Sequence, residues 1–241
     1  MTGAALSLDG KRVIVIGGSS GIGFAVAALS REAGAEVVIA SSNVANVDAA
    51  VQRLPGVMGG AIDLRDEVSV AGFFEKQGAF DHLAITAGDW SANMFAATRD
   101  VDLAAARDLL AVRFWGVLAA VKHGSRTIAS NGSITLTSGA LSYRPRKGSA
   151  LATAMGGAVE HLTRGLAIDI APVRVNAVCL GLVLTDQVKQ MPEERLQMYV
   201  AGLPLPRAAS PTEAAAAYVY LMLNTYTTGQ ILPVDGGGSL V

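Results

Sequence analysis

One segment constrains the fold more than any other part of the chain: residues 11–43, KRVIVIGGSSGIGFAVAALSREAGAEVVIASSN. A short apolar run, residues 13–16, leads into several glycines and an amphipathic helical pattern, and a second apolar run, residues 36–40, follows. Glycine lets the chain turn sharply and lets backbone N–H groups approach a pyrophosphate, while the N-terminal end of the following helix attracts anions. The order and length are those of one βαβ unit and predict dinucleotide binding; the alternative is a structural turn without a ligand. The residues predicted to contact the nucleotide are Gly17, Ser19, Ser20, Gly21, Ile22 and Gly23.

The length and composition fit a single domain. With 241 residues, of which 51% are hydrophobic, the chain can bury a large core, and α/β domains often reach this size. The net charge is −1 and the lysines and arginines are scattered, which argues against nucleic acid or an anionic membrane surface as a partner. We therefore expect one domain over residues 1–241.

The chain contains a single cysteine, Cys179, which excludes an internal disulfide framework and suits a reducing compartment. Its apolar surroundings, VNAVCLG, favour a buried thiol over a nucleophile. The N-terminal residues MTGAALSLDGK lack a cationic start with a long apolar run, and no stretch reaches the roughly 18 apolar residues of a membrane span. These features predict a cytoplasmic location without membrane contact.

Apolar runs typical of strands alternate with helical patterns along the rest of the chain. The predicted strands are 57–62, 82–87, 133–137, 173–179 and 231–234, and the predicted helices are 67–76, 101–122, 151–170 and 212–223. Strands that are apolar throughout belong to a parallel sheet with helices on both faces, and the crossovers between parallel strands are right-handed. The sequence therefore predicts an α/β fold with a Rossmann-type, doubly wound sheet.

The residues after the second strand bear on the choice of cofactor. An NAD site usually carries an acidic residue here, which binds the ribose hydroxyls. This chain has Ser41, Ser42 and Asn43 instead. These small groups leave room for a 2′-phosphate and can donate hydrogen bonds to it, with Ser19 or Ser20 nearby. NADP(H) is therefore favoured over NAD(H), although no arginine accompanies these residues.

The residues that follow the other strands are further candidates, because the ligand of a doubly wound sheet lies beyond the carboxyl ends of the strands. Asp63 can accept a hydrogen bond from the adenine amino group, or it can be the N-cap of the next helix. Small residues after the fourth strand let the backbone lie against the cofactor, and the segment after the sixth strand can hold the nicotinamide amide. The candidates are Asp63, Leu64, Ala87, Gly88, Gly181, Val183 and Thr185.

Together these motifs resemble the short-chain dehydrogenase/reductase family over about residues 8–238. The motifs are GGSSGIG at 17–23, IDL at 62–64, TAG at 86–88, TLTS ending at 138, EHLTRGLAIDIAPVRVNAV at 160–178 and TGQILPVDGG at 228–237. The resemblance implies a Rossmann-type sheet and NAD(P)-dependent oxidation or reduction of alcohols and carbonyls. It also implies a small-molecule substrate and assembly as a homo-oligomer, a tetramer or a dimer.

The chain departs from the family pattern where the chemistry is expected. The family uses an Asn, Ser, Tyr and Lys set, in which serine positions the carbonyl, tyrosine transfers the proton, lysine lowers the tyrosine pKa, and asparagine helps to hold a water relay. Ser138 matches the serine. Counting from Ser138 puts Leu151 and Met155 at the tyrosine and lysine positions, whereas aligning through VEHLTRGLA puts Ala152 and Gly156 there. Neither register recovers the pair.

Arg113 stands at the position of the family's asparagine. On a helix that faces the cofactor, its guanidinium can bind the ribose or polarise a carbonyl as a fixed cation, but it cannot donate a proton. The alternative is a buried ion pair with Asp102 or Asp108 of a neighbouring chain.

A Tyr-x-x-x-Lys string occurs at residues 143–147, but Pro145 argues against the helix that would stack the two side chains. We interpret this string as accidental. The loop after the strand that bears Ser138 is nevertheless expected over the substrate side, so Tyr143 can supply a hydroxyl from a different direction. The alternative is a solvated surface loop.

Residues 186–205 show a helical pattern, and the resemblance places a mobile lid here. Their apolar groups can close over a substrate, or they can pack on the core or on a neighbouring subunit. These groups are Met191, Leu196, Met198 and Tyr199. An apolar pocket favours a hydrophobic small molecule. The three histidines, His82, His123 and His161, have no metal-like spacing, so no metal site is predicted.

Two functional hypotheses follow. In the first, the chain is an NADP(H)-dependent oxidoreductase in which Ser138 and Arg113 polarise a carbonyl, and the proton comes from Tyr143, from water or from the substrate. In the second, it is a nucleotide-binding, non-redox protein that kept the fold and lost the chemistry. The glycine loop and Ser138 favour the first. A slow or narrow activity is expected, because proton transfer by a positioned group typically contributes about a hundredfold or more.

Overall fold

Seven parallel strands form one sheet in the computed structural model, which describes residues 7–88 and 92–241. The strands run in the spatial order β3-β2-β1-β4-β5-β6-β7. They are β1 (Arg12–Ile16), β2 (Glu36–Ser41), β3 (Met58–Ala61), β4 (Phe80–Ile85), β5 (Ile128–Gly139), β6 (Arg174–Leu180) and β7 (Ile231–Val234). The predicted doubly wound α/β fold is confirmed.

Helices cover both faces of the sheet. They are α1 (Gly21–Glu32), α2 (Val44–Arg53), α3 (Glu67–Gln77), α4 (Leu103–Leu110), α5 (Val117–Gly124), α6 (Ala150–Asp169), α7 (Glu193–Val200) and α8 (Pro211–Leu223). Apolar side chains of α1, α2 and α8 share one buried cluster, and those of α3, α5 and α6 share another. Within the described residues, no helix is long and apolar enough to span a membrane.

The central strands are mostly buried because they face both helical layers, whereas β3 and β7 at the two ends of the sheet are more exposed. Along β1, Val13 and Val15 enter the cluster beneath α1 and α8, whereas Ile14 and Ile16 enter the cluster beneath α3, α5 and α6. Successive side chains of a strand point to opposite faces, so a strand buried on both sides carries no polar alternation. This burial pattern fixes the register of the sheet and therefore the level at which each strand ends.

Two predicted elements differ from the structure. The helix predicted over 101–122 is not continuous: α4 and α5 are separated by a π-helical turn, Ala111–Gly116. The helix predicted over 186–205 consists of a short 3-10 turn, Val188–Gln190, and α7, because Pro192 can only stand at the start of α7. Neither break can be read from hydrophobic periodicity, which the inserted residue and the turn leave almost intact.

The strand order creates a crevice at the carboxyl edge of the sheet. β1 lies between β2 and β4, so the crossover after β1 leads to one side and the crossover after β3 returns to the other. Ligands of open α/β sheets bind where the strand order reverses in this way. The residues that follow β1, β2, β3 and β4 therefore surround one crevice.

Candidate active site

The glycine loop after β1 is built for close backbone approach. Gly17 and Gly21 have positive φ angles of 87° and 52°, which side-chain-bearing residues rarely adopt. A Cβ on Gly17 would lie 2.5 Å from the Ala87 backbone nitrogen, and one on Gly23 would overlap the Gly17 carbonyl oxygen. These glycines let the loop lie directly against the end of β4 and against the first turn of α1.

The N-terminus of α1 is open toward the crevice. Its N-cap, Ser20, has an extended backbone and makes no side-chain capping bond, and the first turn carries no acidic residue. The first N–H groups of a helix lack intrahelical partners and form an anion site with the helix dipole. This end of α1 is therefore suited to a pyrophosphate.

A cavity of about 400 Å³ occupies the crevice. All but two of the predicted cofactor residues line it: Gly17, Ser19, Ser20, Gly21, Ile22, Gly23, Ser41, Ser42, Asn43, Asp63, Leu64, Ala87, Gly88 and Thr185. Gly181 and Val183 do not line the described cavity, and their contact with the cofactor stays a prediction. A Cβ on Gly181 would lie 2.7 Å from the Cα of Asp235, so this glycine packs against the chain after β7. Val183 is buried and pairs with Ala209 in an isolated bridge.

The residues that follow β2 and line the cavity carry no carboxylate group. Ser41, Ser42 and Asn43 line the wall, and the Asn43 side chain also caps α2 by accepting a hydrogen bond from the Asn46 N–H at 3.1 Å. Arg65, which the sequence reasoning missed, lines the same cavity. Its position two residues beyond a strand-end aspartate was the available signal.

Asp63 lines the cavity and is not a helix N-cap, so one of the two alternatives for this residue is excluded. Its Oδ1 accepts a hydrogen bond from the Arg65 N–H at 2.9 Å, and Asp66 is the residue that caps α3. The backbone N–H of Asp63 donates to the Ser69 hydroxyl at 3.0 Å. The Asp63 carboxylate is thereby held at the cavity wall, where an adenine amino group can donate to it.

Arg113 lies in the π-helical turn and reaches the carboxyl edge of the sheet. A Cβ on Gly88 would lie 2.5 Å from the Arg113 Cζ atom, so the guanidinium rests on the backbone at the end of β4. Burial raises the pKa of the Tyr218 hydroxyl, and the positive charge of Arg113 opposes this rise. π-helical turns inside helices are frequent at functional sites, and this one places a cation beside the crevice.

Ser138 lies near the end of β5, opposite Cys179 of β6. It is 5% exposed and does not line the described part of the nucleotide cavity. The Ser138 hydroxyl donates to Oε1 of Glu160 on α6 at 2.6 Å, and the Ser142 hydroxyl donates to the same oxygen at 2.5 Å. Glu160 is itself 7% exposed. The predicted serine is therefore held by a buried carboxyl group that the sequence reasoning missed.

One face of α6 points toward Ser138. Residues four apart share a helix face, so Ala152, Gly156 and Glu160 lie in one row. A Cβ on Gly156 would lie 3.1 Å from the Ser142 Cβ atom and 3.4 Å from the Gly139 carbonyl oxygen. Met155 packs in a small apolar cluster with Met94, and Ala152 of the row also belongs to this cluster. This row contains Ala152 and Gly156, which the alignment through VEHLTRGLA places at the family's tyrosine and lysine positions.

Tyr143 follows a short 3-10 turn, Ala140–Ser142, and lies outside any helix, as Pro145 predicted. Its side chain is 43% exposed. Burial, the negative charge of Glu160 and the neighbouring Cys179 raise the pKa of the Tyr143 hydroxyl. This direction is the opposite of what a proton donor near neutral pH requires, because a higher pKa makes the phenol a weaker acid.

The surroundings of Cys179, His82 and His123 indicate structural roles for these three side chains. Cys179 is fully buried, and burial together with Glu160 raises its pKa to about 12, so the thiol stays protonated. His82 Nδ1 bonds to the Ser133 hydroxyl at 2.9 Å, and His123 Nε2 bonds to Glu67 at 3.0 Å. Within residues 7–88 and 92–241, no group of three potential ligands surrounds a metal position.

The segment 186–205 contacts the loop after β5. The Arg146 guanidinium lies over the Tyr199 ring at 5.1 Å from the ring centroid. Met191 and Leu196 are half-buried, whereas Met198 is 77% exposed. The cation–π contact joins α7 to the loop that bears Tyr143, on the side where Ser138 and Glu160 lie.

Comparisons with known proteins agree on one family. A family model described as enoyl-(acyl carrier protein) reductase matches residues 16–239. The short-chain dehydrogenase/reductase ATR9 of Stachybotrys chlorohalonatus is 33% identical over 254 residues, which cover 97% of this chain and 99% of that protein. This chain belongs to the short-chain dehydrogenase/reductase family.

Two solved structures of short-chain dehydrogenases match almost the whole chain. One is a small-chain dehydrogenase in complex with NADPH, which is 34% identical, has a TM-score of 0.83, and covers 96% of this chain and 99% of its own. The other is the MalC reductase/Diels-Alderase of Malbranchea aurantiaca, which is 32% identical, has a TM-score of 0.89, and covers 97% and 98%. This short-chain dehydrogenase is accordingly an NAD(P)-dependent oxidoreductase.

The crevice fits the nucleotide that the family uses. The glycines provide a backbone cradle that a Cβ would close, and the open end of α1 faces it. The residues that would hold the adenosine end are those after β2 and β3, and the residues that would face the nicotinamide end include Gly88 and Thr185. Ser138 and Arg113 lie at the same edge of the sheet as this second end.

Proposed function

We propose that this protein interconverts a carbonyl and an alcohol on a small, apolar substrate with NADP(H) as cofactor. The observation that carries the proposal is the glycine-lined crevice together with two groups at the same sheet edge that can bind a substrate oxygen, Ser138 and Arg113. Both groups were predicted from the sequence. Their roles in the reaction are part of this proposal.

The cavity wall supports NADP(H) in preference to NAD(H). A carboxylate after β2 would repel a 2′-phosphate, and Ser41 and Ser42 occupy that place. Arg65 adds a cationic side chain to the same wall. Hydroxyl donors and a guanidinium are the groups that bind phosphate most readily. The dehydrogenase structure in complex with NADPH points in the same direction.

The chemistry divides between the cofactor and the chain. The bound cofactor supplies or accepts a hydride at the substrate carbon. Arg113 stabilises negative charge on the substrate oxygen as a fixed cation, and Ser138 offers a hydroxyl to the same oxygen. Tyr143 lies on the loop after β5 and forms one wall of the proposed substrate pocket. Orientation of the reactants then provides much of the rate.

An apolar substrate fits the surroundings of α6 and α7. Met94 and Met155 form a buried apolar cluster with Ala152, which belongs to the row that faces Ser138, and Leu110 and Leu141 pack on this cluster. We propose that the segment 186–205 closes over the substrate as a lid through the contact between Tyr199 and Arg146. Apolar walls with a few polar groups select hydrophobic ligands.

Assembly as a homo-oligomer is also proposed, because large apolar side chains are exposed on neighbouring helices. Trp115 is 62% exposed, Leu103 is 68% exposed and Ile168 is 82% exposed. Exposed apolar groups of this kind mark protein interfaces. Size-exclusion chromatography with light scattering measures the state. The cytoplasmic location stays a prediction from the sequence.

Turnover with defined probes tests the function. We would follow NADPH absorbance with a panel of apolar aldehydes, apolar ketones and 3-oxoacyl thioesters, and NADP⁺ reduction with the matching alcohols. The Ser138→Ala variant should lose about a hundredfold in kcat, since it removes a group that contacts charge growing on oxygen. Ser133→Ala on the same strand, where the hydroxyl contacts His82, is the matched control. Absence of turnover with every probe would refute the proposal.

A further inference from the structure

The hydrogen bonds of Ser138 limit what this residue can do alone. A serine hydroxyl carries one proton, and in the structure it points to Glu160 Oε1 at 2.6 Å. While Glu160 is a carboxylate, Ser138 can offer only its lone pairs to a substrate. Ser138 can therefore accept a proton from an alcohol, but it can donate to a carbonyl only when Glu160 supplies a proton in its turn.

Ser142 extends the same chain of hydroxyl groups. Its single proton has two acceptors, the Gly139 carbonyl oxygen at 2.8 Å and Glu160 Oε1 at 2.5 Å. When that proton goes to the carbonyl oxygen, which can only accept, the contact between Ser142 and Glu160 requires a proton on the carboxyl group. Ser142 is half-buried and lies one residue from the exposed Tyr143. It connects the buried carboxyl group to the solvent side of the loop.

We propose that Glu160 is a positioning residue that exchanges the reaction's proton with Ser138, in place of the tyrosine and lysine that this chain lacks. The inference rests on the proposed function, because it assigns the proton route of the same site. The geometry that carries it is the buried row from Ser138 through Glu160 to Ser142. The class of reaction is unchanged, and only the proton path is new.

The step balances in both directions. In alcohol oxidation the substrate O–H bond breaks and its proton moves to Ser138 Oγ, the proton of Ser138 moves to Glu160 Oε1, and the hydride leaves the carbinol carbon for NADP⁺. In carbonyl reduction the hydride arrives at the carbonyl carbon, Ser138 donates to the oxygen, and Glu160 replaces the proton of Ser138. The carboxyl group then exchanges its proton with water through Ser142.

The neighbouring titratable groups are poorer partners. Cys179 faces the site from β6, with a pKa raised to about 12 by burial and by Glu160. Tyr143 faces it from the loop, and its pKa is raised as well. Arg164 lies one turn later on α6, and its positive charge opposes the rise in the pKa of Tyr143. Asp235, which follows β7, contributes to the raised pKa of Cys179. Cys179 makes side-chain hydrogen bonds to Ser138 and Ser142, but its thiol stays protonated. The Glu160 carboxyl oxygen lies 2.6 Å from the Ser138 hydroxyl and can exchange a proton with it.

The test uses Glu160→Gln, which keeps an oxygen that accepts from Ser138 but cannot exchange a proton. We expect kcat with the best carbonyl probe to fall about a hundredfold or more, with NADPH affinity unchanged by fluorescence titration. In the wild type, kcat for reduction should fall at high pH and kcat for oxidation should fall at low pH. Both of these pH limbs should be missing from Glu160→Gln. Asp169→Asn, the same chemical change at an exposed position of α6, is the matched control.

A second readout does not depend on turnover. Infrared difference spectra of the NADPH complex, recorded as the pH is lowered, should show the carbonyl stretch of a protonated carboxyl group that is missing from Glu160→Gln. Its midpoint should coincide with that of the wild-type pH limb. If no such band titrates over the range in which kcat changes, the proposal is wrong, whether or not the variant folds well.

The other outcomes are also decisive. If Glu160→Gln keeps wild-type kcat, Glu160 only anchors the loop and the inference is overturned while the proposed function stands. If Tyr143→Phe abolishes turnover and Glu160→Gln does not, the proton belongs to Tyr143. If the wild type turns over no probe in either direction, the proposed function itself fails, and the proton route fails with it.

Discussion

The Arg113 guanidinium lies on the backbone of Gly88, so that a single methyl group added to this glycine would come within 2.5 Å of the Arg113 Cζ atom. The contact joins a π-helical turn between α4 and α5 to the end of β4. It brings a permanent positive charge to the carboxyl edge of the sheet beside the crevice, at the position where the family pattern has an asparagine. An uncharged amide could not replace this charge.

Replacing Arg113 with methionine removes the charge and keeps much of the side-chain length. If Arg113 stabilises charge on the substrate oxygen, kcat should fall by about tenfold or more at unchanged NADPH affinity. If it binds the ribose, NADPH affinity should fall instead. Arg107→Met, on the exposed side of α4, is the control. A large drop in melting temperature with unchanged activity per folded molecule would show that Arg113 is structural.

Ser42→Asp should reverse the cofactor preference. A carboxylate at this wall repels a 2′-phosphate and accepts hydrogen bonds from a free ribose, so the ratio of NADPH to NADH affinity should fall at least about tenfold, or about 1.4 kcal/mol. Ser42→Asn has the same shape without the charge and controls for size. Fluorescence titration of both nucleotides measures the ratio. Tighter binding of NADH by the wild type would contradict the account.

Gly23→Ala should destabilise the protein and close the cradle. Its Cβ would overlap the Gly17 carbonyl oxygen, and such overpacking typically costs about 1–3 kcal/mol or more. Gly72→Ala on α3 meets nothing within 4 Å and should stabilise the helix by up to about 1 kcal/mol. Thermal melting with and without NADPH compares the two. Equal melting temperatures for the two variants would show that the glycine loop can shift to make room for the added methyl group.

Acid should destabilise the fold through His82. Burial lowers its pKa from 6.5 to about 4, so the folded protein holds a neutral imidazole that the unfolded chain would protonate. This contribution to stability is complete above pH 6.5 and is lost as the pH falls toward 4, with a size of about 3 kcal/mol. His82→Asn can keep a bond to Ser133 and does not titrate. Its melting temperature should fall less between pH 6.5 and pH 4 than that of the wild type.

The fold and the nucleotide crevice could be predicted from the sequence because both depend on local patterns. The apolar run of β1 and the glycines after it are contiguous, and the residues at the ends of parallel strands necessarily share an edge. Gly181 was predicted at the cofactor site but does not line the described cavity. Whether a strand-end glycine faces the crevice or the next strand depends on the path of the chain after β7, which periodicity does not contain.

The catalytic region was harder to predict because its contacts are distant along the chain. Glu160 meets Ser138 across 22 residues, and nothing in the local pattern of α6 marks it as inward-facing. The signal was present in the alignment through VEHLTRGLA, which places Gly156 on the active face and therefore Glu160 one turn further along. The π-helical turn at Arg113 was not predicted, because residues 101–122 were interpreted as one uninterrupted helix.

Transfer of an isotopic label from NADPH to the product tests directly whether this protein reduces a carbonyl group. NADPH that carries deuterium at the transferable C4 position is incubated with the carbonyl probe that gives the fastest turnover, and the product is examined by mass spectrometry and NMR. We expect one deuterium at the carbinol carbon of the product, formed in step with NADPH consumption and about a hundredfold more slowly in Ser138→Ala. Consumption of NADPH without deuterium in an alcohol product, or no consumption with any probe, would contradict it.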